Sequence, residues 1–341
     1  MQKALRNSFR YSLSGIHMYK SRCLLLMMFI FLAMPLTVSA GEEVMPGETE
    51  TSEEKTEALP VSIGEGPGNT IRLGERLIPL NARSMDISGI NLSECDIGSV
   101  FGKMPELKQV TMTDCGLTNE EYAALQDAYP GIRMIWEIQF SRRKLRTDAV
   151  AFSTFRGGAL DQPFKDEDVY YLKYCRDMVG IDLGHNPVHD LSFLQYMHEL
   201  KVLIMVDNSG LKDISMIRYV PKVTYLEVFV NSITDLSPIE GLKDMEDLNF
   251  SRNPVADVEA VKDFPKLKRM VFMETNVQAD DIAELRSIYP KTKITTTGIN
   301  SLAGDWREDP HYYAMRKLFK NNEENSTYHR DGRQQPEMYD R

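Results

Sequence analysis

Six histidines, four cysteines and a few paired glycines are the residues that could do chemistry, and their spacing decides what is open to them. His185 and His189 are four apart, a metal-binding separation on a helix, but here they straddle a tight turn and point apart. His198-Glu199 brings no third ligand. Cys23 falls in an apolar leader, which leaves Cys95, Cys115 and Cys175, an odd and sparse set with neither a disulfide framework nor paired zinc spacing. Cys175 reads as a core filler. Gly157-Gly158 and Gly64-Glu-Gly66 lack the Lys-Ser/Thr or strand-to-helix context of a phosphate loop. No Ser or Cys stands in a nucleophile elbow. Arg142-Arg143-Lys144 is a short basic tip of the kind that is usually solvated, and Asn325-Ser-Thr327 carries little weight as a glycosylation acceptor. The expectation is therefore no enzyme, no catalytic residue, no cofactor and no metal site. A formal charge of -10 also argues against a nucleic-acid partner, which needs a basic face.

The 341 residues, 42% of them apolar, suffice for one or two domains with sizeable cores. At the N-terminus Lys20 and Arg22 precede an apolar run from Cys23 to Leu36, followed by Thr37-Val-Ser-Ala40. That is a secretory signal peptide (1–40), cut after Ala40, with translation starting at Met1 or Met18. Its apolar core is shorter than the roughly 20 residues that cross a bilayer, so the mature chain is expected to have no membrane span. Residues 41–69 are expected to form an acidic, disordered linker, because Glu, Gly, Pro and Thr there bury too little to offset ordering entropy. Residues 321–341 form a similar tail. Order is expected to begin near Ile71, in a small capping hairpin around Gly74-Glu75.

Internal repetition organises the rest. Four segments share one apolar register: Met178, Ile181, Leu183, Asn186, Val188, Asp190, Leu191; then Leu200, Leu203, Met205, Asn208, Leu211, Asp213, Ile214. The third runs Val223, Leu226, Val228, Asn231, Ile233, Asp235, Leu236, and the fourth Met245, Leu248, Phe250, Asn253, Val255, Asp257, Val258. The period is 22 residues, or 23 in the second copy, which has an extra residue at Gly210. A fifth unit opens with Leu267, Met270 and Phe272 but carries Thr275 at the Asn position.

Apolar residues two apart point the same way from a strand, so Ile181/Leu183 and their counterparts face inward. The structural ladder Asn186, Asn208, Asn231 and Asn253 sits where each strand turns away, able to satisfy buried backbone groups of adjoining coils. Each Asp then caps orphan N–H groups of an outer turn. One coil cannot bury its own apolar edge, but stacked neighbours can. A second similarity recurs at an offset of 160 residues, where helices from Asn119 to Tyr129 and from Ala279 to Tyr289 each close a block. The first block starts with Met85, Ile87, Ile90 and Leu92 and puts Cys115 at a ladder position. Between the blocks, Ile132–Phe140 and Leu145–Phe155 alternate around residues 141–144 like a β-hairpin.

These repeats resemble the leucine-rich-repeat superfamily, in particular the short internalin-like type of secreted bacterial, Firmicutes-type proteins. Asn231-Ser-Ile-Thr-Asp-Leu-Ser-Pro238 carries the resemblance, joined by Leu145-Arg-Thr-Asp-Ala-Val-Ala-Phe-Ser153, Gly304-Asp-Trp-Arg307, His311-Tyr-Tyr and Met315-Arg. It covers roughly 70–320 and implies an α/β, right-handed solenoid with a parallel concave β-sheet, short helices or 3₁₀ turns on the convex side, and an interrupting β-hairpin. The domains follow: a hairpin and repeat block (70–140), a hairpin insertion (141–168), the main array (169–298) and a C-terminal cap (299–320). The resemblance implies location outside the cell or on its surface, and names no activity.

Residues between and just after the inward positions project from the concave sheet, and the preceding position adds Tyr225, Asp247 and Arg269. The middle repeats thus set Ile204, Val206, Tyr225, Phe229 and Val230 side by side, bordered by Asp182, Asp207, Glu227 and Arg252. An apolar patch with a charged rim is what an interaction site looks like. The function expected is protein or peptide binding through this face. The alternative is an envelope structural or spacer protein whose patch is covered by its own aromatic-rich segment Trp306–Phe319.

Overall fold

A computed structural model of the chain describes residues 62–140, 143–154, 163–208, 210–298 and 306–322. The leader, residues 41–61 of the linker and the tail beyond residue 322 lie outside them. Among the described residues no helix is long and apolar enough to cross a membrane.

Order starts earlier than residue 70. Strand β1 (Ile63–Glu65) pairs antiparallel with β2 (Thr70–Leu73), and β2 with β3 (Arg76–Pro79). Ile71 and Leu73 are buried and fasten this small sheet to the core, which is why the chain preceding the hairpin is drawn into it.

The first repeat block follows as β4 (Ser84–Asp86), α1 (Ile97–Gly102), β5 (Gln109–Thr111), α2 (Asn119–Ala128) and β6 (Arg133–Ile135), its strands forming a parallel sheet in the order 4-5-6. Helix α2 begins at a capping box: Thr118 Oγ1 accepts the Glu121 N–H, and Glu121 Oε2 accepts the Thr118 N–H at 2.7 Å.

The interrupting hairpin is shorter than the alternation suggests. Strand β7 (Glu137–Gln139) pairs with β8 (Lys144–Arg146), and there the hairpin ends. The Ala149 N–H bonds the Arg146 carbonyl at 3.0 Å, closing a tight turn. Ala151–Ser153 emerges as β9, the first strand of the main parallel sheet rather than part of the hairpin arm. Period-two alternation reads the same in a hairpin arm and in a strand with one solvent-averse face.

After the short helix α3 (Asp166–Val169), the array runs through β10 (Gly180–Asp182), β11 (Val202–Ile204), β12 (Tyr225–Glu227), β13 (Asp247–Asn249), β14 (Arg269–Val271), helix α4 (Ala279–Ile288) and β15 (Lys293–Thr295). These strands make a seven-stranded parallel sheet in strict sequence order from β9 to β15. Ile181 pairs with Leu203, Leu203 with Leu226, Leu226 with Leu248 and Leu248 with Met270, so each repeat is one coil of a leucine-rich-repeat solenoid. Outer turns are 3₁₀ pieces such as Ser192–Tyr196 and Ser215–Tyr219. Each is opened by its Asp: Asp190, Asp213, Asp235 and Asp257 accept the N–H two residues on, each at 2.8 Å.

One apolar core fills the tube from Ile71 to Leu285. Leu183, Leu203, Leu226 and Leu248 are wholly buried in it. Each such side chain contributes about 1.5–3 kcal/mol.

The asparagines stand in a column along one seam. Asn253 Nδ2 reaches its own strand at Phe250 O (3.0 Å) and the preceding coil at Val228 O (2.8 Å), while its Oδ1 accepts the Ile233 N–H. Asn231 repeats this on Val228 and Met205, and Asn208 reaches back to Leu183. Asn186 bonds Leu183 and Thr154 and accepts from Phe164. In the first block Cys115 Sγ takes the same seam, donating to Ile87 O at 3.3 Å. The residue before each ladder position is left-handed: φ is 62° at His185, 53° at Asp207, 59° at Val230, 52° at Arg252 and 54° at Glu274.

The two closing helices differ in what covers them. On α2, Trp136 stacks against Tyr122 with centroids 4.9 Å apart, Gln126 bonds Ile132 O, and Tyr171 and Tyr174 reach Glu120 and Asp127. On α4, Ile282 is half-buried, Ile288 is exposed, and among the described residues no strand pairs with the outer side of β15.

Helix α5 (Pro310–Asn321) lies over the concave face. Asp309 caps it by accepting the His311 N–H at 2.8 Å, and Pro310 at its first position needs no amide partner.

Candidate functional site

The concave sheet carries the patch that alternation assigns to it, and the chain itself closes that patch. Val202, Ile204, Val206, Tyr225, Phe229, Val271 and Met273 form a second apolar cluster with Trp306, Met315 and Phe319. Met315 and Phe319 are four apart and share one helix face. Trp306, from the segment just before α5, is 1% exposed. The patch residues Ile204, Val206, Tyr225 and Phe229 are buried and Val230 is half-buried, so the face is not open to solvent as its position in the repeat implies. The physical reason is a helix of matching polarity from the same chain.

Of the charged border, Asp182 and Glu227 are buried with the patch, whereas Asp207 and Arg252 remain exposed on the rim. Asp207 meets His185 Nδ1 at 3.1 Å, and Arg252 meets Glu274 at 3.0 Å, one coil apart in each case. His185 and His189 take different carboxylates, Asp207 and Asp166.

The polar contacts between α5 and the sheet are specific. The Trp306 indole N–H donates to Glu227 Oε1 at 2.7 Å, and the Tyr225 hydroxyl donates to the same oxygen. Burial pushes the Glu227 carboxyl above its ordinary range, and the two donors only partly offset that. Burial, with Glu227 beside it, likewise pushes the Tyr225 phenol up. Arg269 lies under the indole with its guanidinium carbon 4.1 Å from the ring centroid, donates to the Trp306 carbonyl at 3.0 Å, and pairs with Asp247. Arg316 meets Asp182 at 3.1 Å, and Ser153 Oγ donates to that carboxylate at 2.9 Å. His311 Nδ1 is 3.2 Å from Asp247 Oδ2.

Several of these residues stand outside the sequence-level site. Asp247 and Arg269 occupy the position before the inward pair, in register with Tyr225 on the concave face, but repetition does not show that a cover buries them. Gly180 is legible only afterwards: a Cβ there would come within 2.5 Å of Leu318 Cδ2, so the missing side chain admits the helix.

Glu246, Asp247 and His311 bring three potential ligand atoms within 4.8 Å of one another. Lys268 already sits 2.7 Å from Glu246 and Arg269 pairs with Asp247, so those carboxylates are neutralised by the protein's own cations.

The sequence matches no protein-family model and no curated protein. Among solved structures it is similar to internalin C2 of Listeria monocytogenes, at 18% identity and TM-score 0.32, over 46% of this chain and 76% of that one. It is also similar to a second internalin of that organism, internalin F, at 14% identity and TM-score 0.31, over 60% and 54%. A leucine-rich-repeat protein of Leptospira interrogans is matched at 14% identity and TM-score 0.34, over 57% and 50%. The chain spans about half the length of the latter two. The coil register and asparagine column carry the fold on their own.

Proposed function

We propose that this leucine-rich-repeat chain is a secreted interaction protein that binds a protein or peptide through its concave face and acts without catalysis, cofactor or metal. One observation carries the reading. The concave face is an apolar band set among charged groups, and it accommodates an amphipathic helix along that band. Core hydrophobicity with aromatic and arginine anchors is the composition of protein interfaces.

The reading as an envelope structural or spacer protein is favoured by a different observation, the burial of that band under Trp306, Met315 and Phe319. Cross-linking in culture medium and envelope extract separates the two. The wild-type chain is compared with Asp207→Lys/Arg252→Glu, which reverses charge on the exposed rim and leaves the buried band alone. A defined protein captured by the first and lost with the second supports recognition. Equal recovery from both, or none, supports the spacer. Export is checked separately, by finding Gly41 at the N-terminus of the secreted form.

A further inference from the structure

We propose that the concave trough is a receptor for a cationic amphipathic helix with an aromatic anchor, that α5 is its resident occupant, and that a partner helix of the same chemistry displaces it. The proposal rests on reading the chain as an interaction protein and names the kind of partner.

Three features support it. First, the tube core and the cluster beneath α5 share no residue. Met315 and Phe319 of α5 and Trp306 pack on the concave cluster and none belongs to the tube core, so lifting α5 exposes the concave band without removing a side chain from that core.

Second, the floor under α5 is the wrong kind of surface for a permanent core. Asp182, Glu227, Asp247 and Arg269 are each 5% exposed or less, and Arg269 Nη2 is buried without a hydrogen-bond partner. Buried charge is costly even when paired, and each of these groups regains water when the cover leaves. A floor that solvates well without its cover is one that a helix can leave and another can take.

Third, the contacts are those of recognition. An indole N–H is read by Glu227, a guanidinium by Asp182, and an imidazole at the first turn by Asp247. Gly180 leaves a notch for the helix at Leu318 and Phe319. Charge complementarity thus fixes the partner's type: an arginine on the face that carries two apolar residues four apart, with an aromatic donor just before the helix.

The test uses the full chain and a fluorescein-labelled peptide of residues 306–322 as probe. Three proteins are compared: wild type, Trp306→Ala to loosen the occupant, and Gly180→Cys/Leu318→Cys to tie it down by a disulfide. A Cβ at position 180 lies 3.5 Å from Leu318 Cγ, near enough for that bridge. The expected result is saturable binding to Trp306→Ala, none to the oxidised locked chain, and recovery on reduction. A peptide carrying Arg316→Glu is expected to bind at least tenfold more weakly. Should Trp306→Ala fail to fold, Arg316→Glu in the full chain loosens the helix without touching the apolar seat. No saturable binding to a folded, loosened chain overturns the proposal, as does binding indifferent to the lock or to the peptide's charge. If rim-dependent capture succeeds while the peptide fails, the chain is an interaction protein with a permanently closed trough. If the peptide binds while capture fails, the trough serves only the chain's own segment.

Discussion

Trp306 and Glu227, 79 residues apart in sequence, are joined by a hydrogen bond of 2.7 Å from indole nitrogen to carboxylate oxygen, both side chains buried. Burial raises the Glu227 pKa, and its hydrogen-bond donors and the charge of Arg307 offset that only in part. A raised carboxyl pKa means that the folded state holds the proton more tightly than the unfolded chain. Its stabilising effect is therefore complete below the ordinary value of 4.5 and is lost as pH climbs from there through the folded-state value. Glu227→Gln should flatten that decline, so thermal melts of the two proteins diverge as pH rises above 4.5, with the variant more stable at the alkaline end. Parallel profiles would remove Glu227 as the titrating group.

Asn253→Ala should be among the most damaging changes in the array. It strips donors from Val228 O, Phe250 O and Ser251 O and an acceptor from the Ile233 N–H, all in a buried seam. Leaving such groups unpaired costs about 1–3 kcal/mol each where water cannot reach them, and partial relaxation brings the expected total to about 3 kcal/mol. Asp257→Ala, which loses only a cap on the outer turn, should cost about 1 kcal/mol. Urea melts rank the two, and a reversed order would refute the role given to the column.

Val230 is the single β-branched residue of the left-handed row, at φ 59°. That conformation costs an L-residue about 1–2 kcal/mol and is tolerated best by Gly, Asn and Asp. Val230→Asn should therefore raise stability by about 1 kcal/mol despite trimming a half-buried apolar contact. A lower melting temperature would mean that this contact outweighs the strain.

Thiol reactivity should follow burial. Burial raises all three thiols: Cys95, half-buried, above its ordinary value, Cys115 to about 11, and Cys175, wholly buried, higher still. In a Cys23→Ser chain at pH 8, maleimide should label Cys95 first and the other two only after unfolding. Early labelling of Cys175 by mass spectrometry would contradict the packing of its coil.

Much of the fold is written in period and spacing, because a coil that repeats must repeat its inward residues. Leu203, Leu226 and Leu248 stand at one register, and the strands follow it. Residues Leu145–Phe155 were harder to read, since alternation does not distinguish an antiparallel arm from a parallel strand; the tight turn ending at Ala149 decides between them. The site was half legible. Alternation gave Tyr225 and Phe229 their place on the concave side, and the aromatic run Trp306–Phe319 suggested a cover. Which charges the cover meets depends on where a helix lands across five coils, and local pattern does not encode that. Arg269 under Trp306 is such a pairing.

A parallel stack has no intrinsic reason to stop, and among the described residues no strand pairs with the outer edge of β15. Its amides and carbonyls offer a template to any passing strand, which is how ordered aggregates begin. Lys291 and Lys293 stand at that edge, both exposed. Two like charges brought together by a second copy would repel, so lysines at a sheet edge discourage edge-to-edge pairing.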